Sequence, residues 1–86
     1  MPEICRFLGI VIAMYYNEHY PPHFHARYGE NRASFSIEEL QIIEGSMPKR
    51  VVSLILEWAF EHRAELMEDW ELAKRKEKLK SIEPLV

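Results

Sequence analysis

The chain has 86 residues, 48% of them hydrophobic and 29% charged, with a formal net charge of −3. That length supports one domain over residues 1–86 and no second core, and the negative balance argues against a general basic nucleic-acid binder while leaving room for local basic patches. The single cysteine, Cys5, excludes an intrachain disulfide and a cysteine-built zinc knuckle.

An unpaired thiol suits a reducing cytosol. The opening Met1-Pro2-Glu3 lacks the basic region of a signal peptide, and the apolar run from Leu8 to Tyr16 is too short to cross a bilayer. Cytoplasmic residence without membrane contact is the expectation. A domain this small has a thin stability margin, which keeps a homo-oligomer open.

Taken in chain order, Glu3 to Phe7 and Ile10 to Tyr16 are rich in β-branched and aromatic residues, with Gly9 between them as a bulge, bend or tight turn. Ile10, Ile12, Met14 and Tyr16 share one face of the second segment, and Val11, Ala13 and Tyr15 the other. Apolar residues on both faces predict an inner strand. Asn17 to Pro22 reads as a loop, and proline cannot donate to a ladder, so pairing resumes at about His23.

His23 to Ser36 reads as a hairpin turning at Gly29-Glu30. A two-residue turn sets Phe24 opposite Phe35, Ala26 opposite Ala33 and Tyr28 opposite Asn31. The other face pairs His23 with Ser36, His25 with Ser34 and Arg27 with Arg32. A slip of one residue would scramble both faces, so this register is well specified. Ser36-Ile37-Glu38-Glu39 matches a capping box but also a turn feeding a strand over Gln41 to Glu44, and Gly45 comes too soon for a substantial helix. The strand is the better reading.

Pro48 suits the first turn of a helix. From there Val51, Ile55, Trp58, Ala59, His62, Leu66, Trp70 and Ala73 recur mostly at threes and fours. No Gly or Pro interrupts Lys49 to Glu83, so one long helix is open, but a break near Glu61 to Arg63 fits a small domain better. Glu65, Glu68, Asp69 and Glu71 read as a solvated acidic cluster. The basic run Lys74 to Lys80 reads as a solvated helix end opposing the negative pole of the dipole, with an acidic partner or nucleic acid as the sharper alternative. Ser81 to Val86 is a short tail that either adds an edge strand or stays disordered. The predicted architecture is α+β: a small antiparallel sheet of three to four strands within 3–45, packed on one face by one or two C-terminal helices within 48–79.

The chemistry concentrates on the hairpin's polar face. His23 and His25 project to the same side and are candidates for paired acid–base catalysis. Arg27, Arg32, Ser34 and Ser36 are candidates for binding substrate, because two facing guanidiniums are unfavourable without an anion. Glu18, Glu30 or Glu38 could instead neutralise them. His-x-His could also hold a metal, with His19 or His62 as a third ligand, but two ligands do not make a stable site, so no metal and no cofactor are expected.

Arg6-Phe7, Gly9 to Ile12, Met14-Tyr15, Pro21-Pro22-His23-Phe24-His25-Ala26 and Tyr28-Gly29 resemble the bacterial family catalogued as domain of unknown function 4160. Glu44-Gly45, Pro48-Lys49-Arg50, Leu56-Glu57-Trp58, His62-Arg63, Glu65-Leu66, Asp69-Trp70 and Ile82 to Leu85 are similar to it too, whereas Glu38-Glu39-Leu40 departs from the polar, glycine-containing turn common there. The resemblance implies a component of a toxin–antitoxin-like two-gene module that binds a protein partner from the neighbouring gene, and the facing arginines add RNA or another phosphate-bearing ligand as a further candidate. The alternatives are a metal-independent ribonuclease using the His/Arg face, by analogy with small α+β toxins that cleave RNA, and a metal-binding protein built on His-x-His.

Overall fold

The computed structural model describes residues 2–86. Five antiparallel strands form one sheet in the order β1-β2-β3-β4-β5: β1 Glu3–Phe7, β2 Ile10–Ala13, β3 His23–Tyr28, β4 Asn31–Ser36 and β5 Ile42–Gly45. Two helices follow, α1 Lys49–Glu61 and α2 Arg63–Lys74. The sheet exceeds the predicted three to four strands because the segments around Gly9 are separate. Leu8 and Gly9 both take positive φ, 50° and 80°, and close a two-residue turn between Phe7 and its partner Ile10.

The hairpin register is the predicted one at all six positions, from His23 opposite Ser36 to Tyr28 opposite Asn31. Gly29 takes φ +59° at the first turn position, where a side chain would be strained. β2 is an inner strand between β1 and β3, with all four residues buried.

Period-two alternation then decides which side the helices cover. Phe24, Ala26, Ala33 and Phe35 join Ile10, Ile12 and Met14 in one core with Val51, Ile55, Trp58 and Leu66. Phe24 stacks on Phe35 across the strands at 5.3 Å between ring centres, and the edge of Trp58 meets Phe24 at 5.9 Å. Trp58 is fully buried and its indole N–H donates to the Glu83 carbonyl at 2.7 Å. Truncating such a tryptophan costs roughly 3–5 kcal/mol, a large share of what a domain this size has.

The helical stripe breaks at His62, inside the predicted interval. Its backbone at φ −120°, ψ 24° leaves the helical region while its N–H still bonds to the Ala59 carbonyl. Pro48 lies just outside α1 rather than in its first turn, with ψ 144°. The helices also stop earlier than the expected 79: Lys76 turns to φ 59° and the Glu77 N–H reaches back to the Leu72 carbonyl, a left-handed stop made without glycine. The basic run therefore straddles a helix end, and Lys80 pairs with Glu68 at 2.6 Å.

Asp69 is the clear departure. It is 1% exposed rather than solvated, because it shares the i, i+3, i+4, i+7 stripe of Leu66, Trp70 and Ala73. Its Oδ1 accepts the Lys80 N–H at 2.9 Å. That contact directs the tail back over the sheet, where Ile82 is buried and its N–H bonds to the Ile4 carbonyl on β1 at 2.9 Å. The tail is ordered against the sheet edge without forming a strand.

Candidate functional site

The helices cover one face of the sheet and leave the other open. On that open face β3 presents His25 and Arg27, β4 presents Arg32 and Ser34, and β2 supplies Val11 and Ala13, while His23 at the start of β3 packs against Trp70 of α2. A groove of about 280 Å³ runs over it, lined by Tyr15, His25, Arg27, Arg32, Ser34 and Glu44 among others. A second recess, lined by Glu18, His19, Tyr20, His23, His25 and Ser34, continues past the histidines. His25, Ser34 and Glu44 belong to both.

β-pairing forces Arg27 opposite Arg32. Arg27 is half-buried and Arg32 exposed. Among the described residues no carboxylate lies within ion-pair distance of either guanidinium, and neither Glu18 nor Glu30 closes the bridge considered from the sequence. Glu3, whose field reaches Arg27, is held below the usual carboxylate range chiefly by its hydrogen bonds from Arg6. Glu38 is met by the Tyr20 hydroxyl at 3.4 Å. The like-charged pair therefore faces an open groove with no ion-pair partner among the described residues.

Glu18 is engaged elsewhere. Its Oε1 lies 3.0 Å from His23 Nε2 and 2.7 Å from His25 Nε2, so one oxygen joins both imidazoles. The far side of each ring is also held: His23 Nδ1 donates to the Pro21 carbonyl at 2.7 Å, and His25 Nδ1 lies 3.2 Å from Ser34 Oγ. The rings sit 5.2 Å apart at 71°, with His23 against Trp70 at 5.2 Å and His25 in a T-shaped contact with Tyr15 at 4.5 Å. His23 is 8% exposed, walled in by its neighbours, while His25 opens on both recesses.

Of the six candidate residues, the structure brings His25, Arg27, Arg32 and Ser34 together along one groove and sets His23 beside it. Ser36 stands apart: it is buried, lines neither recess, and its hydroxyl accepts the Glu39 N–H at 3.0 Å, closing the turn into β5. His62 belongs to the helix layer, against Trp58 and hydrogen-bonded to Glu65. Glu18 is the partner that residue spacing did not assign to the histidines. It comes from a loop that Asn17 turns at φ 62° and whose Tyr20-Pro21 bond is cis. Its one visible sign was a carboxylate near His-x-His in an otherwise aromatic and proline-rich stretch. Cys5 is buried and lines neither recess, and burial raises its thiol pKa.

No helix among the described residues is long and apolar enough to cross a membrane. No curated protein and no solved structure matches the chain significantly. The family model described as Domain of unknown function (DUF4160) matches residues 9–71, which takes in every residue lining the two recesses, and the chain belongs to that family.

Proposed function

For this member of the DUF4160 family, we propose that the open face of the sheet binds the phosphate backbone of RNA, within a two-gene module whose second product is its protein partner. The observation that carries the RNA reading is the Arg27–Arg32 pair, held face to face by β-pairing and without a carboxylate partner among the described residues. A guanidinium offers bidentate donors that match phosphate geometry, and an anion between two of them turns a repulsive contact into an attractive one. Ser34 and His25 border the same groove and add polar contacts along a chain lying in it. Each charge-assisted contact is worth about 1.5–3 kcal/mol, so one phosphate binds weakly and a polymer gains by using several. The protein partner is supported by the family resemblance alone.

The ribonuclease alternative is less favoured. Dividing acid and base roles needs two accessible imidazoles, and here both share one carboxylate oxygen while only His25 opens on the arginines.

The test is titration of a short fluorescent single-stranded RNA at low salt against the wild-type chain and Arg27→Ala/Arg32→Ala. Loss of two charge-assisted contacts weakens binding by at least roughly 100-fold. Equal affinity for the two proteins, or binding by neither, contradicts the reading and leaves the face as a protein-docking surface.

A further inference from the structure

We propose that Glu18, His23 and His25 form a binding site for a first-row divalent metal ion of the zinc type. Glu18 Oε1, His23 Nε2 and His25 Nε2 all lie within 4.8 Å of one another. The hydrogen-bond chemistry then asks for a cation among them. A carbonyl oxygen only accepts, so His23 Nδ1, 2.7 Å from the Pro21 carbonyl, carries the ring hydrogen. In the neutral ring Nε2 is then bare, and its lone pair faces a carboxylate oxygen at 3.0 Å. Two electron-rich atoms hold that separation only with a metal ion or a proton between them.

His25 is compatible with the same arrangement. Its Nδ1 lies 3.2 Å from Ser34 Oγ, a hydroxyl that can accept from the ring or donate to it, and its Nε2 lies 2.7 Å from the same Glu18 oxygen. Metal-bound histidines characteristically give their other ring N–H to a fixed acceptor such as a backbone carbonyl, which sets the tautomer and aims the free nitrogen at the ion. Bonds of about 2.0–2.2 Å at roughly tetrahedral angles separate zinc ligands by about 3.3–3.5 Å, so the contacts at 3.0 and 2.7 Å need to open by less than about 1 Å.

The donor set selects the ion. Two imidazoles and one carboxylate suit zinc and its neighbours, whereas magnesium and calcium keep to oxygen ligands. Three protein ligands leave a coordination position open, as zinc sites that act on a substrate do. The recess beside the cluster, which Ser34 and Glu44 also line, is where a fourth ligand would enter. The competing occupant is a proton on His23 Nε2, making an ion pair with Glu18.

The proposal stands apart from RNA binding and is tested without RNA. The full chain is stripped with a chelator, dialysed, and titrated with Zn²⁺ against a chromogenic competitor. The wild type is expected to take up one Zn²⁺ per chain. Glu18→Gln and His25→Ala, taken singly, should each weaken uptake by more than about 100-fold, and Ser34→Ala by about 10-fold, the lower end for a group that only orients a ligand. Glu18 lies in a loop and is half-buried, so its conservative replacement leaves the core intact, which far-UV circular dichroism checks. Co²⁺ should give visible d–d bands in the wild type that vanish in both ligand variants. No Zn²⁺ uptake by the wild type, or equal uptake by wild type and Glu18→Gln, overturns the metal site and leaves the proton.

Discussion

Asp69 shows how one buried carboxylate is tolerated for the contact it makes. Burial raises its pKa above the ordinary value, opposed by the hydrogen bond from the Lys80 N–H and the Lys80 charge and reinforced by Glu68 and Glu65. Its Oδ2 is buried without a hydrogen-bond partner among the described residues. The native state thus holds this proton more tightly than the unfolded chain does. Stability from this group is greatest below the unfolded pKa and is lost as pH rises through the raised folded value. Asp69→Asn keeps an acceptor for the Lys80 N–H and removes the charge. Urea midpoints of the two proteins should diverge as pH rises from the acid side, with the Asn variant the more stable at neutral pH. Parallel curves would mean that the carboxylate is not desolvated. The sequence hid this residue among exposed glutamates, and only its spacing from Leu66 and Trp70 separated it from them.

At the scale of elements, the hairpin was legible because two independent regularities coincide in it. Period-two alternation sorts each arm, and a two-residue turn at Gly29 leaves one register that keeps both faces consistent. The helical stripe was legible for the same kind of reason, with Val51, Ile55, Trp58 and Leu66 meeting Phe24 and Phe35 in one core. Loops carry no such period. That is why residue spacing does not assign Glu18 to the histidines, and why a turn at Leu8 and Gly9, lacking the usual Asn-Gly signature, is not distinguished in the sequence from a bulge or a bend. Gly45, where β5 ends, tests how tightly the groove's wall is built. It takes φ +84°, and a Cβ there would run into the Arg32 carbonyl oxygen and lie 2.8 Å from Ala33 Cα. Backbone cannot yield as a flexible side chain does, so Gly45→Ala should cost upwards of about 2 kcal/mol, combining left-handed strain with the clash. Chemical denaturation measures it. A loss below about 0.5 kcal/mol would show that β5 is not pinned against Arg32.

At the scale of the whole molecule, the division of labour follows from covering one sheet face and leaving the other bare. The helix side holds the aromatic core, and the tail is strapped back across β1 by the Ile82 and Glu83 contacts. The bare side gathers the hairpin's cations, although the chain as a whole is acidic. A local basic groove on an acidic domain should bind a polyanion through a small number of phosphate contacts rather than through a broad field. The most direct measurement of that claim is the slope of log affinity for single-stranded RNA against log salt, for the wild type and for Arg27→Ala/Arg32→Ala. Each phosphate contact on a single strand contributes roughly 0.7 to the slope, so removing both arginines should flatten it by about 1.4. Two parallel lines would contradict the account, placing any RNA contact away from the paired arginines.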